Sequence, residues 1–252
     1  MSLFEVLAIL AAGGAAGAIN VVVGSGTLIT FPVLLAFGFP PVIANVSNSL
    51  GLVPGSLAGA YAYRRELDGQ GRRLVRLGCA SLLGAATGAV LLLSLPPTAF
   101  RAIVPGFILL ALVLIIAQPR LARIVAARAT PSPRRHAGGG VVMLGAIYLT
   151  GVYGGYFGAA QGIMLLAILG LGLDETLHRV NAAKNVLAGL ANLLAGVIFA
   201  FAAHPDWTAV ALLAAGSVLG GTLTGRYGRH LHPTALRALI VAVGIVAAVR
   251  LL

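Results

Sequence analysis

Long apolar stretches recur along the whole of this sequence and constrain its fold more than any motif does. A stretch of about 18 apolar residues can cross the hydrocarbon core of a bilayer, which is about 30 Å thick. Such stretches recur from Leu3 to Leu252 and leave little room for a water-soluble domain. Charged residues make up only 9% of the 252 residues, whereas soluble domains contain about 25%. The sequence therefore predicts an all-α, polytopic membrane helical bundle.

The sequence also matches itself when it is shifted by 136 residues. Residues 97–102 align with 233–238, and the same shift, without a gap, pairs Gly26 with Gly162. A register that is kept over a whole half of a chain indicates an internal repeat. We therefore predict three parts: a first membrane repeat at 1–118, a cytoplasmic linker at 119–137 and a second membrane repeat at 138–252.

Each predicted repeat opens with an apolar segment of unusual length. As one straight helix, residues 3–38 or 138–173 would measure about 54 Å, too long for one crossing and too short for two. Small residues interrupt both segments: Gly24-Ser25-Gly26 in the first, and Gly158-Ala159-Ala160-Gln161-Gly162 in the second. We predict a broken or re-entrant helix at the start of each repeat.

The distribution of charge predicts how the chain crosses the membrane. The remaining apolar stretches predict full crossings at 42–62, 74–94, 101–118, 178–203, 207–225 and 234–251. If both opening segments return to the side where they began, every Lys and Arg except Arg101 and Arg250 faces the cytoplasm, as the positive-inside rule requires. Three full crossings per repeat is an odd number, so we predict inverted topology with both termini outside. The net charge of +11 then indicates cytoplasmic loops and contacts with anionic lipids, not nucleic acid.

The two breaks predict a binding site. A broken helix within a bilayer leaves N–H and C=O groups that only protein or a water-filled cavity can satisfy. Half-helices that start near Thr27 and Ile163 would point free N–H groups and the positive end of a dipole at such a cavity, which favours an anion. The next helices carry matching polar stripes: Asn45, Asn48, Ser49 and Ser56 in the first repeat, and Asn181, Lys184, Asn185 and Asn192 in the second. Secondary transporters frame a site in the middle of the membrane with broken helices in this way.

The candidate substrate-binding residues combine the breaks and the stripes. They are Gly24, Ser25, Gly26, Thr27, Asn45, Asn48, Gln161, Gly162, Asn181, Lys184 and Asn185. Other roles stay open, because small residues also allow close helix packing and asparagines also bond neighbouring helices. Lys184 either neutralises a bound anion or extends to the cytoplasmic surface.

Several function classes are not expected. The acidic residues all fall at span ends or in loops, so no mid-membrane carboxylate is expected to hold a bare cation or relay a proton. The sequence has no GxxxxGK[ST] loop and no HExxH motif, and we expect no enzyme, metal site or cofactor. The single cysteine, Cys79, is expected to be a buried core residue. A carrier of neutral or zwitterionic solutes, a scaffold that transports nothing, and a homo-oligomer all remain open.

The motif residues resemble those of a known family. Two runs are similar to the paired motifs of the TauE/SafE sulfite and sulfonate exporters: Gly13, Gly17, Gly24-Ser25-Gly26-Thr27, Asn45 and Asn48, then Gly151, Gly154, Gly155, Gly158 to Gly162, Arg179, Asn181, Lys184 and Asn185. The resemblance covers nearly the whole chain. It implies a transporter of small sulfur-containing or carboxylate anions such as sulfite, in a bacterial-type inner membrane. Ser25 and Gln161 depart from the family pattern and change the donors beside the half-helix starts.

Overall fold

Every regular element that the structure describes is a helix, which confirms the all-α prediction. The computed structural model describes residues 1–127, 140–227, 238, 240–243 and 245. Its helices are α1 (Leu3–Val22), α2 (Thr27–Ala36), α3 (Pro41–Ala62), α4 (Gly71–Ser94), α5 (Pro97–Ala127), α6 (Val141–Tyr156), α7 (Gln161–Gly172), α8 (Leu177–Ala202) and α9 (Trp207–Tyr227), with a short 3₁₀ helix at Arg64–Leu67. Most of the predicted last span, 234–251, lies outside the described residues.

Five of the described helices are long and apolar enough to cross a membrane. They are α1, α4, α5, α8 and the Trp207–Gly225 part of α9. The predicted span at 42–62 is the 22-residue helix α3, which is less apolar because its polar residues turn inward. Asn45, Ser47 and Asn48 are each no more than 1% exposed. Polar side chains buried among helices in this way are available for contacts between helices or for a site.

Both opening segments are broken at the predicted positions. A turn that contains Gly24, with φ 86°, separates α1 from α2, and a turn that contains Gly158, with φ 76°, separates α6 from α7. A positive φ is accessible to glycine at little steric cost. Ala160, with φ 61°, is the one residue other than glycine in the described ranges that has a positive φ.

The gap-free register between the repeats is wrong at the breaks. The turn glycines Gly24 and Gly158 are 134 residues apart, not 136. The reason is that α7 has 12 residues whereas α2 has 10, and the shift of 136 returns where α3 and α8 begin. At the breaks, equivalent positions are therefore found with the shorter shift.

Both broken segments return toward the end at which they started. The ring of Phe4, at the start of α1, contacts the ring of Phe37, just after α2, with centroids 6.1 Å apart. In the second segment, a Cβ placed on Gly172 at the end of α7 would lie 3.3 Å from the sulfur of Met143, near the start of α6. Each segment is thus a hairpin of two half-helices, as the re-entrant prediction requires.

Glycines let the hairpins pack closely on helices of the other half. A Cβ on Gly17 of α1 would lie 2.7 Å from the Cα of Ser217 in α9, and one on Gly88 of α4 would lie 2.8 Å from the backbone nitrogen of Tyr156 in α6. Backbones approach in this way only where no side chain intervenes. As a result α1 packs on α9 and α6 on α4, which brings the two breaks toward each other.

The helices α3 and α8 cross beside the breaks and run antiparallel. Gly189, in the first half of α8, lies against Ser56 in the second half of α3, whereas Gly196, further along α8, lies against Leu50. Their polar stripes therefore run in opposite directions along the same contact. This arrangement places both stripes next to the two hairpins.

Two details of the sequence prediction are wrong. The helix α5 continues through Pro119 to Ala127, so the span does not end at 118, and the remaining linker residues 128–137 lie outside the described part. Cys79 is exposed on α4, because the buried face of that helix carries Leu77, Gly78 and Ser81 instead.

Candidate functional site

A cavity lies where the two breaks meet the helices α3 and α8. Its lining residues are Asn20, Val21, Gly24, Thr27, Ser56, Gly59, Gly158, Gln161, Gly162, Lys184, Asn185, Ala188 and Asn192. The empty space between them measures about 420 Å³, part of it open to the outside. The site is therefore built from the broken ends of both hairpins and the middle of α8.

Lys184 brings a positive charge to this cavity. Its side chain is 1% exposed, so it does not extend to the surface, and that role is excluded. Its Nζ donates hydrogen bonds to the carbonyl oxygens of Asn20, at 3.2 Å, and Val21, at 3.3 Å. These carbonyls belong to the last turn of α1, the negative end of its dipole. An ammonium group has three N–H donors, so one remains for a ligand.

Two side-chain amides add donors that have no partner. Gln161 is 2% and Asn185 is 5% exposed, and among the described residues nothing accepts a hydrogen bond from Gln161 Nε2 or Asn185 Nδ2. A buried donor without a partner costs about 1–3 kcal/mol. Both residues line the cavity, so a ligand that accepts hydrogen bonds would satisfy them.

The structure brings six of the predicted candidates to the cavity. They are Gly24, Thr27, Gln161, Gly162, Lys184 and Asn185. The other five, which are Ser25, Gly26, Asn45, Asn48 and Asn181, are not among its lining residues. Most of those five make contacts between helices, as the alternative role of small and polar residues suggests.

Asn45 and Asn181, which the 136-residue shift pairs, make matching contacts across the two halves. Asn45 Nδ2 donates to the carbonyl oxygen of Tyr156 at 2.9 Å, and Asn181 Nδ2 donates to that of Val21 at 3.2 Å. Each amide thereby satisfies a carbonyl at the end of the half-helix that opens the other repeat. Carbonyls at a helix end have no partner within the helix.

Asn48 belongs to a polar cluster that closes on itself. Its Nδ2 donates to Thr27 Oγ1 at 3.3 Å, and its Oδ1 accepts from the hydroxyl of Thr30. Ser25 is 1% exposed, and its hydroxyl has no partner among the described residues. The equivalent of Asn48 under the 136-residue shift is Lys184, so the two stripes differ most at this position.

The expectation of free N–H groups at both half-helix starts is wrong at the two glycines. The N–H of Gly26 donates to Asn20 Oδ1 at 2.7 Å, and the N–H of Gly162 donates to the carbonyl oxygen of Gly24 at 3.1 Å. The helix α7 also begins at Gln161, two residues before Ile163. Side-chain donors, not helix N-termini, therefore dominate the cavity.

Sequence reasoning missed several lining residues. Ser56 and Asn192 belong to the predicted stripes but not to the candidate set, and Asn20 was not considered at all. A signal for Asn20 exists, because it is a polar residue in the last turn of an otherwise apolar helix, immediately before a glycine turn.

An ion-pair cluster joins the two halves at one end of the bundle. Glu175, just before α8, pairs with Arg73 of α4 at 2.8 Å and with Arg179 at 2.6 Å, and Arg179 also donates to the carbonyl oxygen of Asp68 at 2.9 Å. Partial burial raises the pKa of Glu175, but the hydrogen bonds and charges of the two arginines outweigh it and hold the pKa below its ordinary value. The loop at 64–71 and the corner at 173–179 therefore share one end of the molecule, as the charge pattern predicts.

Comparison with known proteins decides the family. The family model described as sulfite exporter TauE/SafE matches residues 9–251, nearly the whole chain. The chain belongs to the TauE/SafE family. The resemblance seen in the sequence motifs is thereby confirmed.

The TauE/SafE chain also has curated relatives of similar length. A probable membrane transporter protein, ORF9, of Sinorhizobium sp. is 29% identical over 259 residues, covering 99% of this chain and 93% of the relative. A probable membrane transporter protein of Haemophilus influenzae is 28% identical over 241 residues, covering 94% and 91%, and YfcA of Escherichia coli K12 is 25% identical over 245 residues, covering 94% and 86%. No solved structure matches the TauE/SafE chain.

These comparisons and the apolar helices together make this TauE/SafE protein a multi-pass membrane protein of a transporter family. The relatives are named as transporters and not as enzymes. The cavity between the hairpins is accordingly the place in which to look for a transported substrate.

Proposed function

We propose that this protein carries small anions, such as sulfite, organosulfonates or related carboxylates, across a bacterial-type inner membrane. The observation that carries the proposal is the set of donors at the cavity. The ammonium of Lys184 and the unpartnered amide nitrogens of Gln161 and Asn185 all line it. No carboxylate occurs among the lining residues that the structure describes.

The electrostatics of the cavity favour an anion over a cation or a neutral solute. A buried charge is stable only when hydrogen bonds and an opposite charge compensate its lost hydration. The carbonyls of Asn20 and Val21 supply hydrogen bonds to Lys184, but they carry only partial charges. A bound anion supplies the missing charge and accepts hydrogen bonds from Gln161 and Asn185 at the same time.

We further propose that the two halves are inverted repeats that expose this site alternately to each side of the membrane. Three observations support this. The equivalent helices α3 and α8 run antiparallel, both opening segments are hairpins, and Asn45 and Asn181 make reciprocal contacts with the other half. In transporters built in this way, one half rocks against the other around a fixed site.

The proposal is tested by the melting midpoint of the purified protein in detergent. Sodium salts of sulfite, methanesulfonate and acetate are compared with sodium chloride at equal ionic strength. A ligand at 100 times its Kd stabilises the folded state by about 2.7 kcal/mol, so at least one of these anions is expected to raise the midpoint. The variant Lys184→Gln is expected to lose that response.

Other outcomes separate the alternatives. A midpoint raised by a neutral or zwitterionic solute equally in the wild type and in Lys184→Gln would favour a carrier of such solutes. A protein that no solute stabilises and that moves no anion into liposomes would favour a scaffold.

A further inference from the structure

Each break contains a side-chain carboxamide, but the two carboxamides come from opposite sides of their breaks. The turn glycines Gly24 and Gly158 set the register of the breaks at 134 residues. That register makes Gly154 the equivalent of Asn20, and Gln161 the equivalent of Thr27. An amide is therefore present before the turn in the first break and after the turn in the second.

In the first break, the amide of Asn20 reaches forward from the last turn of α1. Its Oδ1 accepts a hydrogen bond from the N–H of Gly26 at 2.7 Å, next to the first residue of α2. Because a backbone N–H can only donate, this bond fixes which amide atom faces Gly26. The Nδ2 donor of Asn20 is left for other partners.

In the second break, the amide of Gln161 reaches back from the first turn of α7. A Cβ placed on Gly154 would lie 2.5 Å from Gln161 Oε1 and nearer still to other atoms of that amide. The space that a side chain at position 154 would need is thus already filled by Gln161. Only glycine at 154 allows the glutamine amide to lie there.

Both amides lead to the same ligand position. Asn20 and Gln161 line the cavity, Gln161 Nε2 is buried without a partner, and the carbonyl of Asn20 anchors Lys184 at 3.2 Å. We propose that Asn20 is a further ligand-binding residue, whose amide nitrogen is the counterpart of Gln161 Nε2 on the other wall of the cavity. This inference rests on the proposed function, because it names two groups that would hold the carried anion.

The first test changes the chemistry of Asn20 without removing the bond to Gly26. Asn20→Asp keeps an oxygen for the N–H of Gly26 but replaces the ligand donor with a negatively charged acceptor. Since a hydrogen bond to a charged group contributes about 1.5–3 kcal/mol, we expect sulfite affinity to fall by at least about tenfold. The melting midpoint without sulfite should change little. The control Thr150→Val alters a buried hydroxyl of α6 that bonds to Ala146 O and should leave sulfite affinity unchanged.

The second test moves the amide of the second break to the other side of its turn. Gly154→Asn alone should lower the melting midpoint, because its side chain overlaps Gln161. Gln161→Thr alone should weaken sulfite binding, because a donor is lost. The double variant Gly154→Asn/Gln161→Thr copies the Asn20 and Thr27 arrangement of the first break, and it should recover both the midpoint and the affinity.

The results separate this inference from the proposed function. Sulfite affinity that is unchanged in Asn20→Asp, while Lys184→Gln loses binding, would overturn the role of Asn20 and leave the anion site in place. A double variant no better than the worse single variant would overturn the equivalence of the two amides. A wild-type protein that binds neither sulfite nor methanesulfonate would overturn the proposed function, and the role of Asn20 with it.

Discussion

The side-chain nitrogen of Lys184 lies 3.3 Å from the carbonyl oxygen of Val21, in the last turn of the first broken helix. Lys184 is the only lysine of the sequence, and this contact joins the second predicted repeat to the first. The charge and the helix end thereby meet at the cavity wall. Any motion that separates the two halves has to break or move this contact.

The reciprocal contacts of Asn45 and Asn181 should stabilise the fold. Replacing either asparagine with leucine leaves a buried carbonyl, that of Tyr156 or Val21, short of a donor. Hydrogen bonds between membrane helices contribute about 1–2 kcal/mol in peptides and often less in proteins. We expect Asn45→Leu to lower the melting midpoint in detergent more than Asn181→Leu, because Val21 O also accepts from Lys184 whereas Tyr156 O has no second donor among the described residues. Equal midpoints for both variants and the wild type would show that these bonds do not matter.

Two glycines of α6 should respond very differently to alanine. A Cβ on Gly155 would overlap the backbone of Ala85 in α4, whereas one on Gly145 meets nothing within 4 Å. Overpacking costs about 1–3 kcal/mol, so Gly155→Ala should lower the melting midpoint strongly. Gly145→Ala should leave it unchanged or raise it, because alanine favours a helix. The two variants add the same atom to the same helix, so similar midpoints would contradict the packing of α6 on α4.

The ion pairs of Glu175 predict a dependence of stability on pH. Its pKa is lower in the folded protein than its ordinary value of 4.5, so it stabilises the folded state above that pH. The stabilisation is lost as the pH falls through the folded pKa. We expect Glu175→Gln to melt below the wild type at pH 7 and to approach it below about pH 4. A constant difference between the two proteins across this range would contradict the ion-pair assignment.

The sequence predicted the breaks well because glycine and bilayer thickness leave few alternatives. Gly24 and Gly158 take positive φ angles, and a 36-residue apolar segment fits neither one crossing nor two. Lys184 and Asn185 were identified because polar residues rarely occur at depth without a role.

The sequence could not show which polar residues face the cavity. Asn45 and Asn48 share a stripe with Ser56, yet only Ser56 reaches the cavity, because the hairpins cover the first part of α3. Asn20 was missed because a single asparagine in an apolar helix has no periodic signal. The two additional residues of α7 were hidden because a gap-free match elsewhere in the chain concealed the local shift.

The central claim is that the buried charge of Lys184 carries anion transport, and flux measures it most directly. Protein reconstituted in liposomes is loaded with sulfite, and release is followed for the wild type, Lys184→Gln and the matched control Arg65→Gln, which removes one exposed positive charge away from the cavity. We predict that Lys184→Gln loses nearly all sulfite flux while Arg65→Gln keeps that of the wild type. Equal flux through Lys184→Gln and the wild type would contradict the account.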